Sequence, residues 1–426
     1  MRLIKSQAPN VFISLACLFA FSVVTIIPSG FFYSVFLFAI VAIMVFFTRW
    51  HLVDKKLLKF FGFFLLPSLL GLFSYPVSMV LEGDVFDYNQ LNVFGRVANL
   101  SFLLFFILLL HTYIKDKGFH TPFRWYWLGA GLLMLTALWQ FADVFLNVVD
   151  FPFETRAHLH STGGREYGFY NRLTGIAREP SYFVMFAIDF IVLSVLFSYG
   201  VRKLIVVGLG LFLIILSLSP SGYITLAGAF GAAYFFTQIK FSRFKVSFKG
   251  LFAVLSFLVL LPVVSVHLFS LGYFDYVYNR VASPEMVESA RAYMGYMPFV
   301  WAWDSNAMSY LFGHGIKSYS IIGTAFNLPS GEPVHVTSNN LYADTFWESG
   351  LFGLILIAAF FVFVFFSILN SKHGKAQVFV AFFVLFDLML SSLFRADFAS
   401  FRFFILLYLV YILIHYDLRN AKGFYV

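Results

Sequence analysis

Residues 351–369 read LFGLILIAAFFVFVFFSIL, an apolar run without a charged side chain. A helix of about 20 mostly apolar residues is long enough to cross the hydrocarbon core of a bilayer. This run extends back to residue 344, and similar runs occur near 11–27, 30–47, 57–81, 94–114, 125–148, 180–200, 203–218, 221–238, 251–270, 376–394 and 399–417. The pattern predicts an all-α polytopic membrane protein of about twelve transmembrane helices.

Composition excludes a soluble protein of this length. Hydrophobic residues make up 61% of the 426-residue chain and charged residues only 12%, and the mean hydropathy is +0.85. A soluble domain needs a charged surface to stay dispersed, which this composition does not supply. The single cysteine, Cys17, supports neither a disulfide framework nor a thiolate metal cluster.

The distribution of lysine predicts the orientation. With the N-terminus in the cytoplasm and the spans alternating sides, 19 of the 29 basic residues, including 13 of 14 lysines, fall on the cytoplasmic side. This sorting follows the positive-inside rule and places both termini in the cytoplasm. The least secure spans are those over residues 203–238, which the turn signal Ser219-Pro220-Ser221-Gly222 divides.

Arginine, unlike lysine, is not confined to the predicted cytoplasmic side. The predicted outer side holds Lys317 together with Arg96, Arg156, Arg165, Arg172, Arg178, Arg280, Arg291, Arg395 and Arg402. The planar guanidinium can bind phosphate or carboxylate at two points, so the outer arginines indicate an anionic ligand. The alternative is that they pair with local acids such as Asp275, Glu285 or Asp304.

Two predicted outer segments are too long to be simple connectors, because loops beyond about 15 residues are usually functional. These outer segments are residues 149–179 and 271–343. They separate three groups of predicted spans, in residues 1–148, 180–270 and 344–426. The second outer segment contains a helix-start signal at Ser283-Pro284 and a four-residue apolar repeat that favours a surface-lying amphipathic helix. Arg291 lies in that helix and either binds a ligand or pairs with Glu288.

Motifs in both outer segments resemble a known family. Residues 172–183 read RLTGIAREPSYF at the entrance to a span, and residues 310–319 read YLFGHGIKSY. Downstream, residues 339–342 read NNLY and residues 348–353 read ESGLFG. In this order and topology the motifs resemble the O-antigen polymerase and ligase superfamily, over roughly residues 165–370.

The resemblance implies a function. It indicates a GT-C-like glycosyltransferase of the bacterial inner membrane that polymerises lipid-linked oligosaccharide repeat units. The donor is an undecaprenyl pyrophosphate-linked glycan, and the acceptor is another lipid-linked unit at the outer face. Membrane lipids, a chain-length regulator and a flippase are the other expected partners, and nucleic acid is not. No metal and no cofactor is expected, because the pyrophosphate is already a good leaving group.

The expected site residues follow from motif and chemistry. Glu179 and His335 are the candidate catalytic bases. His335 is considered because the chain has Asn339 where the ligase branch carries a histidine before the asparagine, and histidine titrates near neutral pH. His314 is a further candidate base, and each histidine could equally be an ordinary loop residue. The predicted substrate-binding residues are Arg172, Arg178, Arg280, Arg291, Asn339, Asn340 and Arg395.

Other functions remain open at this point. An O-antigen ligase shares the fold and most motifs, although the missing histidine favours the polymerase. A flippase would place basic residues in a central cavity and show two repeated halves.

Arg395 and Arg402 are seven residues apart and would share a face if helical. They either bind a ligand or form a structural salt bridge with Asp397.

Overall fold

The computed structural model describes residues 11–26, 54–83, 90–153, 172–241, 290–304, 306–319, 326–327 and 339–418. Within these ranges the protein is all-helical, with 81% of residues in helices and no strand. The predicted spans 30–47 and 251–270 lie outside the described residues, and so do Arg280 and His335.

The helices belong to two compact units, and one of the boundaries between them falls inside α3, after Thr112. The helices of the first unit are α1 (Val11–Val24), α4 (His120–Leu146), α5 (Pro180–Phe197), α6 (Gly200–Leu216) and α7 (Pro220–Phe241). The helices of the second unit are α2 (Lys55–Glu82), most of α3 (Gln90–Lys117), α8 (Ala290–Asp304), α9 (Ala307–Phe312), α10 (Leu341–Asn370), α11 (Lys375–Ser391) and α12 (Phe401–His415).

Length and composition mark several of these helices as membrane spans. Five are long and apolar enough to cross a bilayer: Lys55–Leu81, Gln90–Lys115, Thr121–Leu146, Pro180–Phe197 and Leu341–Asn370. Two shorter apolar helices are Val11–Val24 and Phe401–His415. These are the helices of a multi-pass membrane protein, and helices occupy ten of the twelve predicted spans.

Among the described helices, one in each unit is buried on every side. In the first unit, α5 is buried continuously from Phe183 to Ser194; in the second, α12 is buried from Phe401 to Leu413. A helix that is apolar all round fits the centre of a bundle. The buried Asp189 of α5 accepts a hydrogen bond from the Tyr126 hydroxyl of α4 at 2.6 Å, which satisfies the one acid in that helix.

The structure corrects the predicted turn between α6 and α7. The break lies at residues 217–219, and α7 begins at Pro220, so the Pro-Ser-Gly signal forms the first turn of the helix. Proline is well suited to the first turn because its missing N–H has no helical acceptor there. Leu218, between the two helices, adopts a left-handed backbone with a φ of 49°.

Candidate functional site

Residues 172–179 form a tight turn packed on α4 in the first unit. The side-chain oxygen of Gln140 accepts hydrogen bonds from the backbone N–H groups of Thr174 at 2.8 Å and Gly175 at 2.9 Å. Gln140 and Thr174 are buried, so these bonds satisfy donors that solvent does not reach. A single polar side chain of α4 therefore anchors the middle of the turn.

Gly175 allows the turn to approach α4 closely. Its φ is +55°, a left-handed conformation that side-chain-bearing residues rarely adopt. A Cβ at this position would overlap the hydroxyl oxygen of Thr136 and lie 2.8 Å from the backbone nitrogen of Ala137. The same Thr136 hydroxyl accepts a hydrogen bond from the Ile176 N–H at 3.2 Å. The glycine of the motif is thus explained by backbone geometry and space.

Arg172 closes the turn onto α6. Its Nε donates to the carbonyl of Ser217 at 3.2 Å and its Nη2 to the carbonyl of Leu218 at 2.6 Å. These carbonyls follow the last residue of α6, where the helix dipole leaves a partial negative charge. Arg172 therefore caps α6, and this structural contact engages two of its donors.

Arg178 joins the turn to the end of α1. Its backbone N–H donates to the carbonyl of Val24 and its Nε donates to the carbonyl of Thr25, both at 2.8 Å. An isolated antiparallel bridge between Thr25 and Ala177 lies beside these bonds. The Arg178 residue itself is exposed. Its backbone is held in place while its side chain stays accessible to solvent.

Glu179 is the N-cap residue of α5. Its backbone is extended, with φ −146° and ψ 150°, and Pro180 is the first helical residue. The Ser181 hydroxyl donates to the Glu179 carboxylate at 3.3 Å. A carboxylate is favourable at a helix N-terminus because of the partial positive charge there. Glu179 is half-buried, and its catalytic role stays a prediction.

Replacing Gln140 with methionine should lower the free energy of unfolding by about 2–4 kcal/mol, because two buried backbone N–H groups lose their acceptor. Leu135→Ala is the control, since Leu135 lies on the exposed side of the same helix. Thermal unfolding in detergent compares the variants. Equal stability of Gln140→Met and the unaltered protein would show that the turn does not depend on this side chain.

The second unit contains a kink that organises its polar residues. α10 is interrupted at Gly350, whose φ of 65° and ψ of −166° lie outside the helical region. Such an interruption removes helical donors from the carbonyls of the preceding turn. The carbonyls of Trp347 and Glu348 accept instead from the N–H groups of His314, at 2.8 Å, and Gly315, at 3.1 Å. The Gly-His-Gly motif thus completes the hydrogen bonding of the broken helix.

We call this contact between the loop 313–318 and the kink of α10 the glycine clasp. A Cβ on Gly313 would overlap the backbone of Glu348, and a Cβ on Gly350 would overlap the backbone carbonyl of Leu311. Glycine at both positions lets two backbones touch without a side chain between them. This requirement accounts for glycines in two motifs that lie more than thirty residues apart in the sequence.

α2 supports the clasp from its other side. The backbone N–H of Ile316 donates to the carbonyl of Gly71 at 2.8 Å. The Ser349 hydroxyl, next to the kink, donates to the carbonyl of Pro67 at 2.6 Å. Both bonds are inside an apolar unit, where unpaired polar groups are costly. The clasp therefore links α2, α10 and the 313–318 loop.

His314 lies in the core of the second unit. The residue is 1% exposed, and its ring stacks on the indole of Trp347 with a centroid distance of 3.8 Å and an interplanar angle of 21°. A general base must reach the substrate hydroxyl. The enclosed position favours the structural alternative for this histidine over the catalytic one.

A group of four ionisable side chains surrounds the clasp, which we call the mixed-charge group: Arg96, Lys317, Asp344 and Glu348. The two acids are buried, with Asp344 5% and Glu348 4% exposed, whereas the two basic residues are half-buried. The Lys317 backbone N–H donates to the Glu348 carboxylate. Lys317 lies in the electrostatic field of the other three charges.

The surroundings of Lys317 change its titration. Burial lowers the pKa of its ammonium, and the nearby positive charge of Arg96 lowers it further. Glu348 and Asp344 oppose this shift because they favour the charged form. Lys317 therefore loses its proton at a lower pH than an exposed lysine does.

A second charged group lies at the end of α11 and the start of α12. Arg402 donates to the Asp387 carboxylate at 2.7 Å and approaches Asp397 at 3.7 Å. Arg402, Asp387 and Arg395 are all buried. Arg395 lies in the connection between the helices and Arg402 in α12, so the two arginines do not share a helix face. Arg402 therefore forms an internal salt bridge, chiefly with Asp387, and its ligand role stays a prediction.

Phe398 lies beside two members of the mixed-charge group, Arg96 and Glu348. The Arg96 guanidinium lies over its ring, 4.8 Å from the centroid, in cation–π geometry. The same phenylalanine lines a small cavity of about 10 Å³, together with Phe64, Pro67, Ser68, Leu341, Thr345, Glu348, Ser349 and Ile357. Phe398 and Glu348 thus line the same small cavity, and the Arg96 guanidinium lies over the Phe398 ring.

The predicted Asn339 and Asn340 immediately precede α10. Asn339 adopts a left-handed backbone with a φ of 56°. The Asn340 side chain is the N-cap and accepts from the backbone N–H of Tyr342 at 2.9 Å. The Leu341 N–H donates to the carbonyl of Ser392 at 2.8 Å, which ties this helix start to the end of α11. Asn340 therefore has a capping role.

The structure distributes the predicted site residues over both units. The first unit holds Arg172, Arg178 and Glu179, which lie together in one turn. The second unit holds Arg291, Asn339, Asn340 and Arg395. Arg291 lies in α8, and its side chain is outside the described part of the molecule. His335 and Arg280 lie outside the described residues altogether.

The buried acids Asp344, Glu348 and Asp387 are not among the site residues predicted from the sequence. The available signal was an acid within an apolar span, because ionisable residues at membrane depth are costly and often functional. Among the described residues, no three His, Cys, Asp or Glu side chains come close enough to hold a metal ion. No protein-family model matches the chain, and no curated protein sequence matches it.

Proposed function

We propose that the protein is a polymerase of lipid-linked oligosaccharide repeat units, such as those of O-antigen or a related surface polysaccharide. The observation that carries this proposal is the mixed-charge group beside the glycine clasp. Ionisable side chains within an apolar helical unit are energetically costly and indicate a site for a polar or charged ligand. The motif resemblance implies that this ligand is a glycan pyrophosphate.

The proposal includes a membrane arrangement. The chain crosses the inner membrane with about twelve spans in a GT-C-like fold, with both termini in the cytoplasm. The glycan is joined at the outer face, where the lipid-linked units are presented. The apolar helices hold the polyprenyl tails of the donor and acceptor in the bilayer.

The reaction needs a base and a site for the leaving group. The acceptor hydroxyl attacks the anomeric carbon of the donor glycan while the bond from that carbon to the pyrophosphate oxygen breaks. The proton passes to a base, for which Glu179 and His335 are the candidates. Cationic side chains stabilise the negative charge that develops on the departing undecaprenyl pyrophosphate. The growing glycan ends on the acceptor lipid, one repeat unit longer.

The first test concerns the predicted arginines. Replacing Arg172, Arg178, Arg280 and Arg291 singly with Lys and with Ala should abolish long-chain polymer in producing cells, because lysine does not reproduce the two-point fork. Immunoblots check that protein levels persist. Arg202→Ala is the control, since Arg202 is exposed on α6 and belongs to the predicted cytoplasmic side. Unchanged polymer chain length in all four series would contradict the proposed role of these arginines in binding the substrate pyrophosphates.

A deletion strain separates the polymerase from the ligase. Without a polymerase, single repeat units still reach the lipid A core, and gels of the surface glycan show that one short band. Without a ligase, the core carries no repeat units at all. We expect the single band, and its absence would replace the proposed polymerase with the ligase.

A further inference from the structure

The mixed-charge group has a positive edge. Its acids, Asp344 and Glu348, are buried, whereas its basic residues, Arg96 and Lys317, are each only half-buried. The two basic residues are therefore more accessible than either acid. Such an arrangement suits an anion, and phosphate oxygens suit it best because they accept charge-assisted hydrogen bonds from both side-chain types.

The structure restrains the Arg96 guanidinium and the Lys317 backbone. The Arg96 guanidinium lies over the Phe398 ring, which restricts its orientation. Lys317 has a left-handed backbone with a φ of 62°, a conformation that is strained for a residue with a side chain. The clasp holds the adjoining residues, and the Lys317 N–H donates to the Glu348 carboxylate. Strain of this kind persists only where the surroundings impose it, and it is common at ligand sites.

We propose that Arg96 and Lys317 together bind the pyrophosphate of a lipid-linked glycan, and that Glu348 is the positioning residue that holds Lys317 toward it. The identity of the anion rests on the proposed function, whereas the cationic pair rests on the geometry above. Arg96 supplies a planar two-point donor and Lys317 a compact charge. Glu348 acts through Lys317 and takes no proton from the substrate.

The site should depend on pH through Lys317. The charged groups that face it are Arg96 from α3 and Asp344 and Glu348 from α10, and Tyr75 of α2 packs against the neighbouring Gly315. As pH rises through the lowered pKa of Lys317, its positive charge disappears and anion affinity falls. Arginine does not titrate in this range, so Lys317→Arg should remove the alkaline loss of binding.

The direct test measures binding of inorganic pyrophosphate and of undecaprenyl pyrophosphate to the purified full-length protein by calorimetry. Lys317→Asn should weaken both affinities by about tenfold or more, because a charge-assisted hydrogen bond is lost. Asparagine tolerates the left-handed backbone, so the melting temperature should stay within a few degrees of the original. Lys317→Arg should bind within about threefold of the unaltered protein.

Glu348 is tested by separating binding from turnover. Glu348→Gln keeps an acceptor for the Lys317 N–H but removes the charge. In a polymerisation assay it should raise KM for the lipid-linked donor several-fold and change kcat much less. A several-fold fall in kcat with an unchanged KM would contradict a positioning role.

The outcomes distinguish this inference from the proposed function. Absence of pyrophosphate binding by the unaltered protein, or equal binding by Lys317→Asn, would overturn the inference even if the protein polymerises glycans. Stronger Lys317-dependent binding to phosphatidylglycerol vesicles than to undecaprenyl pyrophosphate would assign the pair to a lipid headgroup and overturn the substrate assignment. Lys317-dependent pyrophosphate binding without polymer formation would support the cationic pair and reject the polymerase.

Discussion

Alanine in place of Gly350 should lower the free energy of unfolding by about 2–5 kcal/mol. A left-handed backbone costs a residue with a Cβ about 1–2 kcal/mol, and forcing atoms into a filled space adds about 1–3 kcal/mol. The Cβ would overlap the Leu311 carbonyl near the end of α9, so this part of the chain, which leads into the loop 313–318, would have to move away from α10. Thermal unfolding in detergent, followed by circular dichroism, measures the loss.

Gly62→Ala is the matched control for Gly350→Ala. Gly62 lies within α2, and a Cβ there would have no other atom within 4 Å. Alanine has the higher helix propensity, so this control should be neutral or slightly stabilising. Equal melting temperatures for the two variants would mean that the kink at Gly350 does not require glycine.

The second large effect is expected at Arg402. Replacing it with methionine leaves the buried Asp387 carboxylate without its 2.7 Å partner. Removing one member of a buried ion pair typically costs about 3–5 kcal/mol, because the remaining charge is desolvated and uncompensated. Unfolding in detergent at neutral pH provides the measurement.

The double variant Asp387→Leu with Arg402→Met shows whether the cost comes from the abandoned charge. Two apolar side chains of similar size should recover most of the lost stability, since well-packed apolar pairs often match buried ion pairs. Arg202→Ala on the exposed face of α6 is the control and should change stability by less than about 0.5 kcal/mol. A double variant as unstable as Arg402→Met alone would point to packing as the source of the loss.

The helical architecture was predictable because its signal is local. Residues 351–369 are apolar throughout, and the structure places them inside one helix, Leu341–Asn370. Length and hydropathy identify such a segment as an apolar helix without reference to the rest of the chain. The start of α5 was equally predictable, since Pro180 is the first residue of the helix, a position at which proline is common.

The glycine clasp was not predictable in the same way. The motifs containing Gly313 and Gly350 were visible, but neither indicates that the two backbones touch. Helix periodicity does not reveal a kink, and the hydrogen bonds that repair it join residues far apart in the sequence. Only the three-dimensional arrangement shows that the loop supplies the donors that the broken helix lacks.

Side-chain partners were the hardest feature to anticipate. Arg172 was predicted to bind substrate, yet its guanidinium donates to two carbonyls at the end of α6. His111 lies inside an apolar span and was given no role, although its ring contacts Tyr408 at 2.9 Å and Asp54 at 3.3 Å. Charge type alone does not distinguish a ligand contact from an internal one, because both use the same donors.

Reconstitution of the purified protein tests the central claim most directly. The protein is placed in lipid vesicles with a single undecaprenyl pyrophosphate-linked repeat unit, and the products are separated by size. We predict a ladder of glycans spaced by one repeat unit, with one undecaprenyl pyrophosphate released for each new linkage. Vesicles that yield neither a ladder nor released undecaprenyl pyrophosphate would contradict the assignment as a polymerase.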